Sequence, residues 1–226
     1  MTIWLSAILG FSALSLVLLF RLFFTLPATR FKKPASRKPS ATCSLAVFLG
    51  SGGHTSEALA LLKGVDLQRY QPRHYFVSEG DNLSVKQVVQ FEQSRANNSS
   101  SQYRVTTIPR ARRVHQPLIT TPLTALISTY ACVYYFMVEP FFHKKCPFPE
   151  VLIMNGPGTC FILCVAVYWN KLLGLPAPTT IYVESFTRVK GLSLTGKLIR
   201  PMVDRFIVQW PQLQGPGKGE YHGVLV

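Results

Sequence analysis

Residues 3–20, IWLSAILGFSALSLVLLF, run for eighteen positions without a charge. A bilayer core is crossed by roughly 20 apolar residues. In hydrocarbon such a segment satisfies its own backbone only as a helix. The run therefore predicts a membrane-spanning helix, and everything after it must fold as a tethered body. A cleaved leader would carry positive charge before the apolar run and a small-residue cleavage site behind it. Here Arg21, Arg30, Lys32, Lys33, Arg37 and Lys38 all follow it. Basic flanks stay on the cytosolic side. The expectation is an uncleaved, single-pass anchor over residues 1–27, with the amino terminus lumenal or outside and the body cytosolic. Residues 28–43, rich in Pro, Ser and Lys, read as a linker that also touches anionic headgroups. In a cytosolic body the glycosylation sequons at Asn82, Asn97 and Asn98 go unused, and residues 97–101 read as a polar loop.

Past the linker, apolar β-branched runs at 44–50, 74–79, 103–109, 150–155, 180–184 and 204–210 alternate with helix-like stretches at 55–64, 85–95, 159–173 and 193–202. That order predicts an α/β fold, a Rossmann-like parallel sheet covered on both faces. Only sixteen residues follow Trp210, so residues 44–226 are expected to form one domain. Residues 118–138 carry no charge and meet the length test for a second span. They also hold Pro122, five Ser or Thr and three Tyr. A span there would divide the sheet between two sides of a membrane. The expectation is a helix packed on the sheet, with one face dipping into the bilayer surface.

The net charge of +14 favours anionic partners: nucleic acid, phosphorylated substrates or acidic lipid. Nucleic acid is disfavoured, because no binding module and no compact basic and aromatic patch is present. The five cysteines form no CxxC pair, which suits a reducing compartment. Cys160 and Cys164 lack His or carboxylate companions and read as core, and no metal site is expected.

The chemistry concentrates in turns behind strands. In open parallel sheets ligands bind beyond the carboxyl ends of the strands. Gly50, Ser51, Gly52 and Gly53 sit at such an end and open into a helix whose positive pole faces the same spot. Phosphate or diphosphate is the favoured occupant; a plain tight turn is the alternative. The spacing matches neither a dinucleotide fingerprint nor a P-loop. A second small-residue turn, Asn155 to Thr159, opens a later helix. A third, after residues 180–184, offers Glu184, Ser185 and Arg188. His54 is the candidate for proton transfer, since histidine titrates near neutrality; as a helix cap it would be purely structural. Glu184 is either a base or a support. Arg110, Arg112 and Arg113 form a basic turn that binds phosphate or headgroups, or is simply solvated.

The blocks GSGGHT, NGPGT, YVES and DRFIVQWPQL, behind an amino-terminal anchor, closely resemble the membrane-anchor subunit of the eukaryotic UDP-N-acetylglucosamine transferase. The likeness covers nearly the whole chain past the anchor. IPRAR is similar to that family's basic turn, although the family tends to carry an acidic residue where this chain has Arg113. The glycine loop is also similar to that of the bacterial transferase acting on the lipid-linked cell-wall precursor. The resemblance implies the acceptor half of a GT-B glycosyltransferase, with the donor half on a separate cytosolic subunit that holds UDP-N-acetylglucosamine. It implies transfer of the second N-acetylglucosamine to the dolichol-diphosphate-linked sugar at the endoplasmic reticulum membrane or nuclear envelope, with inversion and no metal or cofactor. His54 is then the base, with Glu184 in reserve. Gly50, Ser51, Gly52, Gly53, Thr55, Asn155, Gly156, Gly158, Thr159, Ser185 and Arg188 are assigned to the acceptor and its diphosphate. The apolar carboxyl terminus is expected to pack on the partner subunit. Two other functions stay open: a membrane scaffold without substrate contact, and an anchored nucleotide-dependent oxidoreductase.

Overall fold

The computed structural model describes residues 2–25, 41–95, 102–112, 116–139, 148–156, 158–215 and 219–226. Most of the basic linker, Asn97, Asn98, Arg113 and Cys146 lie outside the described residues. Helix α1 (Thr2–Thr25) carries the anchor sequence. It is followed by β1 (Leu45–Leu49), α2 (Gly53–Lys63), β2 (Arg73–Ser78), α3 (Asn82–Arg95), β3 (Tyr103–Ile108) and α4 (Thr121–Val133). Then come β4 (Val151–Asn155), α5 (Thr159–Leu173), β5 (Thr179–Val183), α6 (Leu194–Ile199), β6 (Arg205–Val208) and β7 (Glu220–Tyr221). The strands form one sheet in the order β3-β2-β1-β4-β5-β6-β7, and every pairing is parallel. The six strands and four body helices read from the sequence are present; β7 is an added edge strand.

Alternation along the strands sorts side chains between two cores. Leu45, Val47, Leu49, Tyr75 and Val77 pack against Ala58, Leu59 and Leu62 of α2 and Val88 and Phe91 of α3. Ala46, Phe48, Phe76, Leu152, Met154 and Tyr182 face the other way, onto α4, α5 and α6. Cys132, Cys160 and Cys164 belong to this second core. Burial pushes these thiols up, Cys132 and Cys164 to about 12, as inert core thiols require.

Among the described residues two helical segments are long and apolar enough to cross a membrane, Ile8–Thr25 and Thr121–Val138. The second is α4 with the π-helical turn Tyr134–Val138 that continues it. It buries Ser128, Cys132 and Phe136 and packs against β3 and α5. Its opposite face leaves Ile119, Leu123, Leu126, Ile127, Tyr130 and Tyr134 exposed, an apolar stripe at helical spacing. α1 packs on α5. A Cβ added to Gly174, the left-handed cap of α5, would lie 2.9 Å from Arg21 Nη2. The Arg21 cation thus sits at the negative pole of α5.

His74 on β2 lies under this helical layer. Its ring centroid lies 4.2 Å from that of Phe76, the planes tilted by 33°, and Nε2 pairs with Thr106 Oγ1 at 2.7 Å. Burial, reinforced by the nearby Arg104 guanidinium, lowers its pKa from 6.5 to about 4. Between those values the unfolded chain binds a proton that the folded chain refuses, so stability rises with pH across that window. Acidification from pH 7 to pH 4 is expected to remove about 3 kcal/mol through this group. Denaturant unfolding of the full chain in micelles should show that loss, and His74→Gln should flatten the slope between pH 6.5 and 4 relative to wild type.

Candidate functional site

Chain direction creates the crevice. After β1 the chain turns onto the α2–α3 face; after β4 it turns onto the α4–α5–α6 face. β1 and β4 are neighbours, so their carboxyl ends part into a gap, the position where open parallel sheets bind ligands. The β1 turn passes through Gly52 at φ 64, a conformation suited to glycine. α2 begins at Gly53 without a side-chain cap, so its first amides have no intrahelical acceptor. α5 likewise begins behind Gly158 with no side-chain cap. Two helix amino ends, each of positive polarity, border one gap.

Thr55 is fully buried. Its amide donates to the Gly52 carbonyl at 3.1 Å, and its hydroxyl contacts the Gly50 carbonyl and Ser84 Oγ. Thr55 therefore braces the loop from behind. Thr159 is also buried, and its Oγ1 accepts from the Ala111 amide at 3.3 Å, which fastens the basic turn to the β4 turn. In that turn Arg110 Nε donates to the Glu79 carbonyl at 3.0 Å, and Arg112 donates to the Gln116 carbonyl.

His54 projects between the two strand ends. Its Nδ1 lies 3.0 Å from Asn155 Oδ1 and 3.7 Å from Glu57 Oε2. Gly156 has φ 115, and a Cβ there would approach His54 Cγ to 2.9 Å. The imidazole rests on that glycine, and its side chain stays 33% exposed. Tyr182 from β5 donates to the Gly156 carbonyl at 3.2 Å from beneath. Ser185 is buried and donates to Glu57 Oε1 at 2.8 Å. His54, Asn155, Gly156 and Ser185 thus meet in one cluster.

Glu184 stands apart from that cluster. It is 1% exposed and both of its oxygens are occupied. Oε1 accepts from the Ser185 amide at 3.2 Å, and Oε2 accepts from the Ser193 amide and hydroxyl at 3.1 Å. Ser193 in turn accepts from the Gly196 amide and caps α6. Among the described residues Glu184 makes no hydrogen bond to His54. Arg188 is exposed on the β5–α6 loop, at the same sheet edge.

Three participants escaped the sequence reading: Glu57, Ser193 and Gln209. Gln209 donates from Nε2 to the Glu184 carbonyl at 3.1 Å and accepts from the Leu225 amide at 3.4 Å. Only Glu57 offered a signal, an acidic residue one turn after His54 where an anion-binding helix end would favour a neutral one. Among the described residues no group of three or more His, Cys, Asp or Glu could hold a metal.

Comparison with known proteins decides the family. The model of the oligosaccharide biosynthesis protein Alg14-like family matches residues 45–225. The chain belongs to the Alg14 family. A Cryptococcus neoformans member is 46% identical over 222 residues, 97% of this chain and 96% of its own length. A Schizosaccharomyces pombe member is 41% identical over 192 residues, 84% and 87% of the two chains. A human member is 37% identical over 180 residues, 78% and 79%. Each is named a UDP-N-acetylglucosamine transferase subunit. Acinetobacter baumannii MurG shares the fold, with TM-score 0.52 and 14% identity, over 81% of this chain and 45% of MurG. The chain therefore has a Rossmann-like, GT-B-type half-fold and spans about half of that neighbour.

Proposed function

We propose that this chain is the membrane-anchoring, acceptor-binding subunit of a two-chain inverting UDP-N-acetylglucosamine transferase. Its partner binds the donor, and together they add the second N-acetylglucosamine to diphosphodolichol-linked N-acetylglucosamine at the cytosolic face of the endoplasmic reticulum. One observation carries the reading: His54 is held over Gly156 at the mouth of the β1–β4 crevice, between two uncapped helix ends.

The acceptor's diphosphate lies against the amides of Gly52, Gly53 and His54 and the α5 end at Gly158, where helix polarity favours anions. Arg188 adds charge at the rim. Thr55, Thr159 and Ser185 hold the loops in shape. The acceptor hydroxyl oxygen attacks the anomeric carbon of the donor. The new C–O bond forms as the bond to the UDP oxygen breaks, UDP departs with that electron pair, and His54 Nε2 takes the hydroxyl proton. Attack opposite the leaving group inverts the anomeric centre. Glu184, buried beneath, supports Ser185 and α6.

The exposed stripe of α4 lies in the boundary between headgroups and acyl chains, beside the anchor. β3 and β4 belong to one sheet, so the helix between them runs along the body and does not carry the chain across a bilayer. The donor-binding subunit docks where exposed Val224, Leu225 and Val226 lie near the crevice edge, fixed there by Gln209. Removing residues 223–226 is expected to lower recovery of the partner on co-purification, with the sheet intact by circular dichroism.

The test is a transfer assay with UDP-N-acetylglucosamine and a lipid-diphosphate N-acetylglucosamine. Product from the two chains together, and none from either alone, is the expected result. Turnover by this chain alone would overturn the half-enzyme reading. A His54→Ala complex that assembles and transfers at the wild-type rate would leave a scaffold in its place.

A further inference from the structure

Glu57 is three residues past His54 on α2, and both of its oxygens reach across the crevice. Oε2 accepts from Asn155 Nδ2 at 2.9 Å, and Oε1 accepts from Ser185 Oγ at 2.8 Å. One carboxylate on α2 therefore ties together the ends of β4 and β5. Its side chain is only 13% exposed, so its charge is turned inward to these donors.

Asn155 is fully buried, and its neighbours fix which way its amide faces. Nδ2 donates to Glu57 Oε2 and, at 3.3 Å, to the Val183 carbonyl. Both are acceptors, so the oxygen end of the amide must face His54. Nδ1 of His54 thus meets Asn155 Oδ1 at 3.0 Å, with Glu57 Oε2 at 3.7 Å. Neither atom can donate. The proton of the neutral ring must sit on Nδ1, and the lone pair is left on Nε2. Among the described residues nothing hydrogen-bonds Nε2.

We infer that Glu57 is the positioning residue for the His54 proton acceptor. It locks the imidazole tautomer through Asn155 and stabilises the imidazolium when Nε2 takes the proton from the attacking hydroxyl, while itself staying ionised. This is the logic by which a carboxylate orients and steadies a histidine base, with an asparagine interposed. Glutamine would be a poor substitute. It has one acceptor oxygen where two are in use, and it carries no charge. The inference rests on His54 being the base, and its test separates the two ideas.

The first measurement needs no turnover. The full chain, labelled with nitrogen-15 at histidine and held in lipid nanodiscs, is compared with Glu57→Ala, and the His54 signal is assigned by its loss in His54→Gln. The expected wild-type ring carries its proton on Nδ1, and Glu57→Ala moves the population toward the Nε2–H form. A wild-type ring protonated on Nε2, or a tautomer unchanged in Glu57→Ala, overturns the proposal. The second measurement uses the assembled complex with the near-isosteric Glu57→Gln. kcat is expected to fall by about 10- to 100-fold, with the acceptor KM near its wild-type value, and Glu57→Asp should recover part of the loss. An unaltered kcat in Glu57→Gln overturns the proposal. If the wild-type complex transfers no sugar, the proposed function falls. The spectrum alone then decides, in the same two directions, whether Glu57 sets the ring.

Discussion

Gly156→Ala is expected to cut transfer by about 100-fold or more while leaving an assembled complex. Two effects coincide at this position. The backbone has φ 115, a region L-residues seldom enter, at a cost of about 1–3 kcal/mol. The new methyl would also stand 2.9 Å from His54 Cγ, 3.1 Å from its Cβ and 3.2 Å from Cδ2. Three atoms at those distances leave the ring no small adjustment that also keeps its 3.0 Å bond to Asn155. The imidazole must leave its bond to Asn155, and on the proposed mechanism Nε2 then loses its aim at the acceptor hydroxyl. A displacement of about 1 Å is enough for a loss of that size. Gly80→Ala is the matching control for strain. Its φ is 77 and a Cβ there meets nothing within 4 Å, so it carries the backbone cost alone. Equal activity losses in the two variants would show that strain, not the displaced ring, limits transfer. Full activity in Gly156→Ala would remove His54 from the chemistry.

The strands were legible because each is a short β-branched apolar run, and their alternation with helices dictates a parallel sheet. Helix starts were less legible. α3 begins at Asn82, ahead of the expected residue 85, because Asp81 accepts from the Ser84 amide and hydroxyl and draws the helix back. β7 escaped notice because it is two residues long and has meaning only beside β6. The apolar segment after residue 117 reads alike as a span or a packed helix; the burial of Ser128, Cys132 and Phe136 and the place of β3 and β4 in one sheet favour the second. At the site, small-residue turns announced themselves locally, and so did His54. Glu57 showed only its spacing of one turn from His54 and nothing of its role, since its partners Asn155 and Ser185 lie 98 and 128 residues away. A carboxylate after a strand, as at Glu184, has the same letter whether it faces solvent or caps a buried turn. Sequence patterns report periodicity and backbone freedom; long-range polar pairing becomes visible only when the sheet brings the strand ends together.

That limit is sharpest at the opposite edge of the sheet, where Glu92→Ala is expected to destabilise the chain by about 3–5 kcal/mol. Glu92 is 1% exposed, Arg73 4% and Tyr75 fully buried. Arg73 grips Glu92 with two parallel bonds, Nε to Oε1 at 2.6 Å and Nη2 to Oε2 at 2.7 Å. Tyr75 donates to Oε1 at 2.6 Å. Burial first, and the Glu92 carboxylate second, push the Tyr75 hydroxyl far above its usual pKa, so it remains a donor. Arg73 Nη1 also donates to the Leu67 and Tyr70 carbonyls, at 2.8 and 3.1 Å, and so pins the loop between α2 and β2. Removing the carboxylate strands a buried guanidinium and a buried phenol together, which costs far more than the lost bonds. Glu92→Gln keeps an acceptor but discards the charge, and should fall between Ala and wild type. Replacing the pair by apolar residues, Arg73→Met with Glu92→Leu, should recover much of the loss, since no charge is then left buried. Denaturant midpoints of the full chain in micelles order the four proteins. The cluster sits at the start of β2, away from the crevice, so folded Glu92→Gln complex should transfer sugar at the wild-type kcat. A single Ala variant as stable as wild type would mean that water reaches Arg73 and the cluster is not the buried fastening between β2 and α3 that its geometry describes.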